Sequence, residues 1–161
     1  MFLLLLSFVG FGNYGHVTSH DVGVCHNGWT RYNDSCYFIN LDQAMSFMDA
    51  ENFCQQYNAR LIHVETSAEN QFIVDMLHRD QAGSCWVGLN DMDKEGKWLW
   101  YGTQTAPQFT YWWPHEPHGG DGEDCAVYYA RHTNYNWDDY SCSHHFHPLC
   151  EFIPETVDVI G

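Results

Sequence analysis

The sequence predicts one α+β domain held together by disulfides. Two segments in the first half of the chain carry apolar residues at helical spacing. The second half contains short aromatic and β-branched segments, separated by long loops rich in Gly, Pro, Asn and Asp. Seven cysteines in 161 residues are typical of a small exported domain with a disulfide framework. We therefore expect a single folding unit in an oxidising compartment.

The amino-terminal residues predict export from the cell. Phe2–Val9 is apolar but too short to cross a bilayer, and the small residues Val17 and Ser19 precede a suitable cleavage point. We interpret residues 1–19 as a secretory signal peptide, with a buried first strand as the alternative. The exported protein would be soluble and extracellular, and Asn33 in the tripeptide "NDS" could accept an N-glycan.

A β-hairpin is predicted over residues 25–39. Its aromatic and branched residues favour strands, and the pair Asn33-Asp34 favours a turn between them. Cys25 and Cys36 lie on the two sides of this turn, where a disulfide could close the hairpin.

Two helices are predicted to follow the hairpin. The first has Ser46 as its N-cap and an apolar face formed by Phe47, Ala50, Cys54 and Tyr57. The second begins after Thr66, which has capping-box spacing to Glu69, and its apolar face is formed by Phe72, Ile73, Met76 and Leu77. We expect both faces to lie against the core.

Strands are predicted beyond Gly83, in the segments "CWVGLND", "KWLWYG", "CAVYY" and "HPLCEF". The loops between them are long for a compact domain, and such loops are frequently functional. Helices followed by strands indicate an α+β arrangement rather than alternating βαβ units.

Acidic residues are concentrated in these loops. Nine of the 21 carboxylates lie between Asp91 and Asp139, with three basic residues to offset them. In the loop "WWPHEPHGGDGEDC" the carboxylates would repel one another, which indicates a divalent cation, a solvated surface, or both. The net charge of −15 argues against nucleic acids and anionic membranes as partners, because both are polyanions.

Several of these motifs together resemble the C-type lectin domain. "WVGL" at 86–89, "EP" at 116–117, "GEDC" at 122–125 and "WDD" at 137–139 occur in the order typical of that family. The resemblance covers residues 25–152 and leaves 153–161 as a carboxy-terminal tail. It implies two helices, short antiparallel sheets, long calcium-binding loops and a calcium-dependent lectin rather than an enzyme.

The resemblance also implies a disulfide pairing. The expected bonds are Cys54–Cys150, Cys125–Cys142 and Cys25–Cys36, the last being a feature of the long form of the domain. Cys85 would then be left over. It would be either a buried thiol or the site of an intermolecular disulfide that links a homodimer.

By resemblance, the principal calcium ion would be held by four carboxylates, those of Glu116, Glu123, Asp138 and Asp139. The same four side chains and His118 would contact the sugar, and Pro117 would follow a cis peptide bond. An auxiliary calcium site would use Asp91, Glu95 and Asp124, with Glu123 shared, unless these are simply exposed loop acids.

The sugar contacts cannot follow the mannose-type pattern of the family. That pattern has Asn where this chain has His118 and Asp138; an ionised Asp only accepts hydrogen bonds, and a neutral His donates from one nitrogen. Aromatic stacking should therefore matter more, which favours galactose-type over mannose-type ligands. The candidate stacking residues are Trp113, Tyr128, His132 and Tyr135.

Two other functions are consistent with parts of the sequence. An acidic domain of this fold could bind mineral, ice or a protein partner without recognising sugar. The cluster His144, His145 and His147 invites a zinc site, although surface histidines explain it equally simply. No nucleophile motif and no His-Glu-x-x-His motif is present, so the sequence does not indicate an enzyme.

Overall fold

A computed structural model describes residues 23–155 of the chain, so the predicted signal peptide lies outside the described residues. Within this range there are two α-helices, and eight strands form two four-stranded antiparallel sheets. The predicted α+β class is confirmed. No helix in residues 23–155 has the length and apolar character needed to span a bilayer.

The first sheet joins the two ends of the domain. Its strands, in spatial order, are β1 (Thr30–Tyr32), β2 (Ser35–Ile39), β8 (Leu149–Phe152) and β3 (Arg60–Leu61). The predicted hairpin is formed by β1 and β2, and Asn33 adopts a φ of 50° in the turn. Asn33 is exposed there, as an N-glycan acceptor must be.

The two helices lie between β2 and the second sheet in the chain. Helix α1 is Phe47–Gln55 and helix α2 is Ser67–Arg79, with the predicted N-caps Ser46 and Thr66. One residue of the predicted apolar faces is misplaced. Tyr57 lies beyond the end of α1 and is 38% exposed, because the chain leaves the helix after its C-cap Gln56.

The second sheet carries the long loops. Its strands, in spatial order, are β5 (Leu99–Trp100), β4 (Cys85–Asn90), β6 (Cys125–Tyr128) and β7 (Trp137–Tyr140). Trp137 is fully buried and packs among Trp100, Trp112 and Tyr128. This packing fixes the start of β7, and therefore the positions of the two aspartates that follow.

Three disulfides hold the sheets and helices together, and all three expected pairings are confirmed: Cys25–Cys36, Cys54–Cys150 and Cys125–Cys142. Cys85 is 0% exposed in β4, and its thiol donates to the carbonyl oxygen of Gly83 at 3.4 Å. Burial raises the pKa of this thiol well above its ordinary value. An intermolecular disulfide needs an accessible sulfur, so this position favours the buried thiol and argues against a homodimer linked through Cys85.

Candidate metal centre

Three acidic side chains and one imidazole converge where β7 meets the loop before β6. Ligand atoms of Glu116, His118, Asp138 and Asp139 all lie within 4.8 Å of one another. The Glu116–Pro117 peptide bond is cis, as expected. We call these four residues the principal cluster. The principal cluster contains four of the five residues expected at the principal site. These four residues are up to 23 positions apart in the sequence, from 116 to 139.

Hydrogen bonds attach this loop to β7 at two places. The amide of Trp113 donates to the carbonyl of Trp137 at 2.8 Å, and within the loop the amide of Glu116 donates to the carbonyl of Trp113 at 2.9 Å. At the other end, the carboxylate of Asp139 accepts the amides of His118 at 3.0 Å and Gly119 at 2.7 Å. Asp139 thus orders the loop as well as contributing a carboxylate to the cluster.

Glu123 lies at the edge of the principal cluster rather than inside it. Its side chain packs directly against Gly119, where an added Cβ would collide with the Glu123 carboxylate. Burial raises the pKa of Glu123, and the negative charge of Asp139 raises it further. Gly119 therefore makes room for Glu123 beside the cluster. This role of Gly119 was not predicted from the sequence, although the Gly-Gly pair in an acidic loop was a signal for close packing.

The proton affinity of Glu116 is raised by its surroundings in the principal cluster. Burial raises the pKa of Glu116, and its contact with the Asp139 carboxylate and the charge of Asp138 raise it further. The nearby imidazole of His118 contacts Glu116, which raises the pKa of His118 in turn. His118 is 67% exposed, so its positive charge is largely solvated. A bound cation would stabilise such a group of buried carboxylates more effectively.

A second acidic group forms beside the first. Ligand atoms of Asp91, Glu95 and Asp124 lie within 4.8 Å of one another, so three of the four residues expected at the auxiliary site converge, and Glu123 is not part of this group. Asp91 is 3% exposed, and its Oδ2 accepts the amide of Gly96 at 2.7 Å. Its other oxygen, Oδ1, is buried without a hydrogen-bond partner among the described residues. We call these three residues the auxiliary cluster.

The prediction that four aromatic residues are available to stack on a sugar is wrong for two of them. Tyr128 and Tyr135 are 0% and 7% exposed, because alternation along β6 turns Tyr128 inward and the Tyr135 hydroxyl donates to the buried carbonyl of Ala82 at 2.6 Å. Trp113 and His132 remain accessible candidates. Their rings stack with centroids 4.3 Å apart, and His132 Nε2 lies 3.1 Å from Asp138 Oδ2.

The three clustered histidines do not form a metal site. His147 Nδ1 lies 3.0 Å from the carbonyl oxygen of Asn40, whereas His144 packs against Tyr140 and Phe146. Within residues 23–155, the groups of three or more potential ligands close enough to share an ion are the principal and auxiliary clusters. The zinc interpretation is therefore not supported.

The sequence is similar to known proteins over most of its length. A family model described as the Lectin C-type domain matches residues 43–152. A perlucin-like protein of Mytilus galloprovincialis is 31% identical over 121 residues, covering 74% of this chain and 76% of that protein. The human C-type lectin domain family 10 member A is 36% identical over 134 residues, covering 79% of this chain, which spans 40% of that protein.

Solved structures share the fold. The carbohydrate-recognition domain of the mouse scavenger receptor C-type lectin is 28% identical, with a TM-score of 0.73; the match covers 82% of this chain and all of that domain. A calcium-independent type II antifreeze protein is 25% identical, also with a TM-score of 0.73, and covers 85% of this chain and 99% of its own. The chain belongs to the C-type lectin domain family, whose members are carbohydrate-binding proteins rather than enzymes.

Proposed function

We propose that the protein is a secreted lectin that requires calcium and prefers galactose-type sugars. The observation that carries this proposal is the principal cluster, in which three carboxylates and one imidazole converge within 4.8 Å beside β7. The three disulfides support an oxidising compartment such as the cell exterior. The strongly acidic surface restricts the partners to neutral or cationic molecules.

The residues of the principal cluster fit a calcium ion. Calcium prefers oxygen ligands from irregular loops, and the cluster supplies the carboxylates of Glu116, Asp138 and Asp139, with Glu123 at its edge. Bound calcium would accept two neighbouring hydroxyl groups of a sugar as further ligands. Zinc fits less well, because His118 is the single nitrogen ligand of the cluster and no thiolate is present in it.

The auxiliary cluster fits a second calcium ion for a separate reason. A buried carboxylate oxygen without a partner is costly, and Asp91 Oδ1 is such an atom. Burial, the charge of Asp124 and the charge of Asp139 each raise the pKa of Asp91, although the amide of Gly96 partly offsets them. A cation between Asp91, Glu95 and Asp124 would satisfy the orphaned oxygen.

The side chains around the principal cluster favour galactose-type sugars. Glu116 and Asp138 accept hydrogen bonds from sugar hydroxyls when ionised, and the exposed imidazole of His118 has a nitrogen that can donate. Fixed amide donors are lacking at positions 118 and 138. Trp113 is 36% exposed, and its ring offers the flat apolar surface on which the apolar face of galactose packs.

A glycine substitution tests the position of Glu123. We expect Gly119→Ala to weaken calcium binding by about 10-fold or more, because the new methyl group would push the Glu123 carboxylate away and misplaced supporting groups cost at least that much. The backbone of Gly119 has a φ of −72°, which alanine adopts freely. Isothermal titration calorimetry with calcium measures the effect.

Gly122→Ala is the matched control for this experiment. It lies in the same loop, and an added Cβ there meets nothing within 4 Å. It should therefore keep the calcium affinity of the unmodified protein. Equal affinities for the Gly119 and Gly122 variants would contradict the proposed role of Glu123.

Retention on sugar resins tests the proposed preference. In the presence of calcium, the protein should bind immobilised galactose, elute with free galactose, and pass through a mannose resin of equal density. Retention on the mannose resin alone would contradict the preference for galactose-type sugars, although the lectin function itself would stand.

The likeness to a calcium-independent antifreeze protein supports a second candidate function, an interaction domain that binds a surface without sugar. Passage through every sugar resin would favour that candidate.

A further inference from the structure

A row of aromatic rings begins beside the principal cluster and leads away from it over the second sheet. Successive ring centroids are separated by 4.3, 5.1, 5.3 and 5.3 Å. The row consists, in order, of Trp113, His132, Tyr129, Tyr140 and His144. We call these five residues the aromatic row.

The aromatic row is continuous with the principal cluster. His132 is its second member, and its Nε2 lies 3.1 Å from the Oδ2 atom of Asp138. Side chains alternate along a strand, so Tyr140 projects from the same face of β7 as Asp138. A ligand that leaves the principal cluster along this face would therefore meet the row next.

The row is accessible but held firmly in place. Trp113 and His144 are exposed, whereas the three central rings are half-buried. Tyr129 and Tyr140 pack against the hydrophobic cluster that contains Trp86 and Val127. Because these rings are already held in place, they lose little conformational entropy when a ligand stacks on them. The entropic cost of ordering the side chains on binding is therefore small.

We propose that the aromatic row is an extended subsite for the inner residues of a neutral oligosaccharide, whose terminal sugar occupies the principal cluster. Pyranose rings present apolar C–H faces, and aromatic rings bind such faces by stacking. Nine carboxylates between residues 91 and 139 give this part of the domain a strongly negative potential, which disfavours sulfated or sialylated chains. This proposal rests on the proposed lectin function and adds the length and charge of its ligand.

Isothermal titration calorimetry in calcium tests the aromatic row with four probes: methyl galactoside, a neutral tetrasaccharide ending in galactose, methyl mannoside and mannotetraose. For the terminal sugar that binds, the tetrasaccharide should have a dissociation constant at least about 10-fold below that of the monosaccharide, equivalent to about 1.4 kcal/mol. A sulfated form of the same tetrasaccharide should lose this advantage.

Variants within the row separate stacking from packing. Tyr129→Leu keeps an apolar side chain against the core but removes the ring, and His144→Ala changes an exposed residue. Both should remove most of the tetrasaccharide advantage and leave the monosaccharide affinity unchanged. Tyr57→Leu is the matched control, because Tyr57 is 38% exposed yet packs near Trp29 and Phe53, outside the row.

The possible failures are distinguishable. Equal dissociation constants for monosaccharide and tetrasaccharide would overturn the proposed extended subsite but not the proposed lectin function. Variants that weaken both probes equally, or leave the tetrasaccharide advantage unchanged, would overturn it as well. Failure of all four neutral probes to bind would overturn the proposed function and the extended subsite together.

Discussion

Asp139→Asn should lower the calcium affinity by at least about 100-fold and abolish measurable sugar binding. Asp139 has two roles in the structure: its carboxylate belongs to the principal cluster, and it accepts the amides of His118 and Gly119. An amide side chain has one acceptor oxygen instead of two and carries no charge. Supporting groups around metal sites already cost about 10- to 100-fold when changed, so loss of a charged ligand should cost more.

The same variant should remain folded, which separates a metal defect from a folding defect. Without calcium, Asp139→Asn removes one of several mutually repelling carboxylates, so its thermal unfolding midpoint should equal or exceed that of the unmodified protein. Asp75→Asn, on the exposed surface of α2, is the control and should change neither calcium nor sugar binding. Full sugar affinity in Asp139→Asn at the same calcium concentration would contradict the assignment of the principal cluster.

Removing the Cys54–Cys150 disulfide should give the largest loss of stability. The bond closes a sequence separation of 96 residues between α1 and β8. In the chain-entropy account, a loop of this length corresponds to about 4.7 kcal/mol of unfolding free energy. The free energy of unfolding of a typical domain is only about 5–15 kcal/mol, so the double variant Cys54→Ala with Cys150→Ala should be only marginally stable. Chemical denaturation at 25 °C measures the difference.

The Cys25–Cys36 bond provides an internal comparison. Its sequence separation is 11 residues, so replacing both cysteines with alanine should cost about 3 kcal/mol or less. The hairpin would still pair with β8 through β2. An equal or larger loss for this pair than for Cys54–Cys150 would contradict the loop-length explanation.

Local signals predicted much of the fold. Ser46 and Thr66 were recognised as helix caps because capping depends on residues three positions apart. Strand β3, Arg60–Leu61, gave no comparable signal, since it has two residues and pairs with β8 about 90 residues later in the chain. Such a strand exists because the tertiary fold brings a partner to it, and local propensity does not report this.

The site required more than local signals. The crowding of carboxylates indicated a cation, but the grouping of Glu116 with Asp138 and Asp139 came from the family resemblance. The misassignment of Tyr128 and Tyr135 has a physical cause. An aromatic residue near a site in sequence can point to either face of a strand or loop, and the register of β6 and the hydroxyl contact of Tyr135 decide the matter.

Glycan-array binding with calcium, and again with an excess of chelator, tests the central claim most directly. The proposal predicts binding to neutral galactose-terminated glycans in calcium, loss of that binding in chelator, and recovery when calcium is restored. Sugar binding that is unchanged by chelator would contradict the calcium site. Absence of binding to any glycan, together with an unchanged unfolding temperature on adding calcium, would contradict the proposed function as a whole.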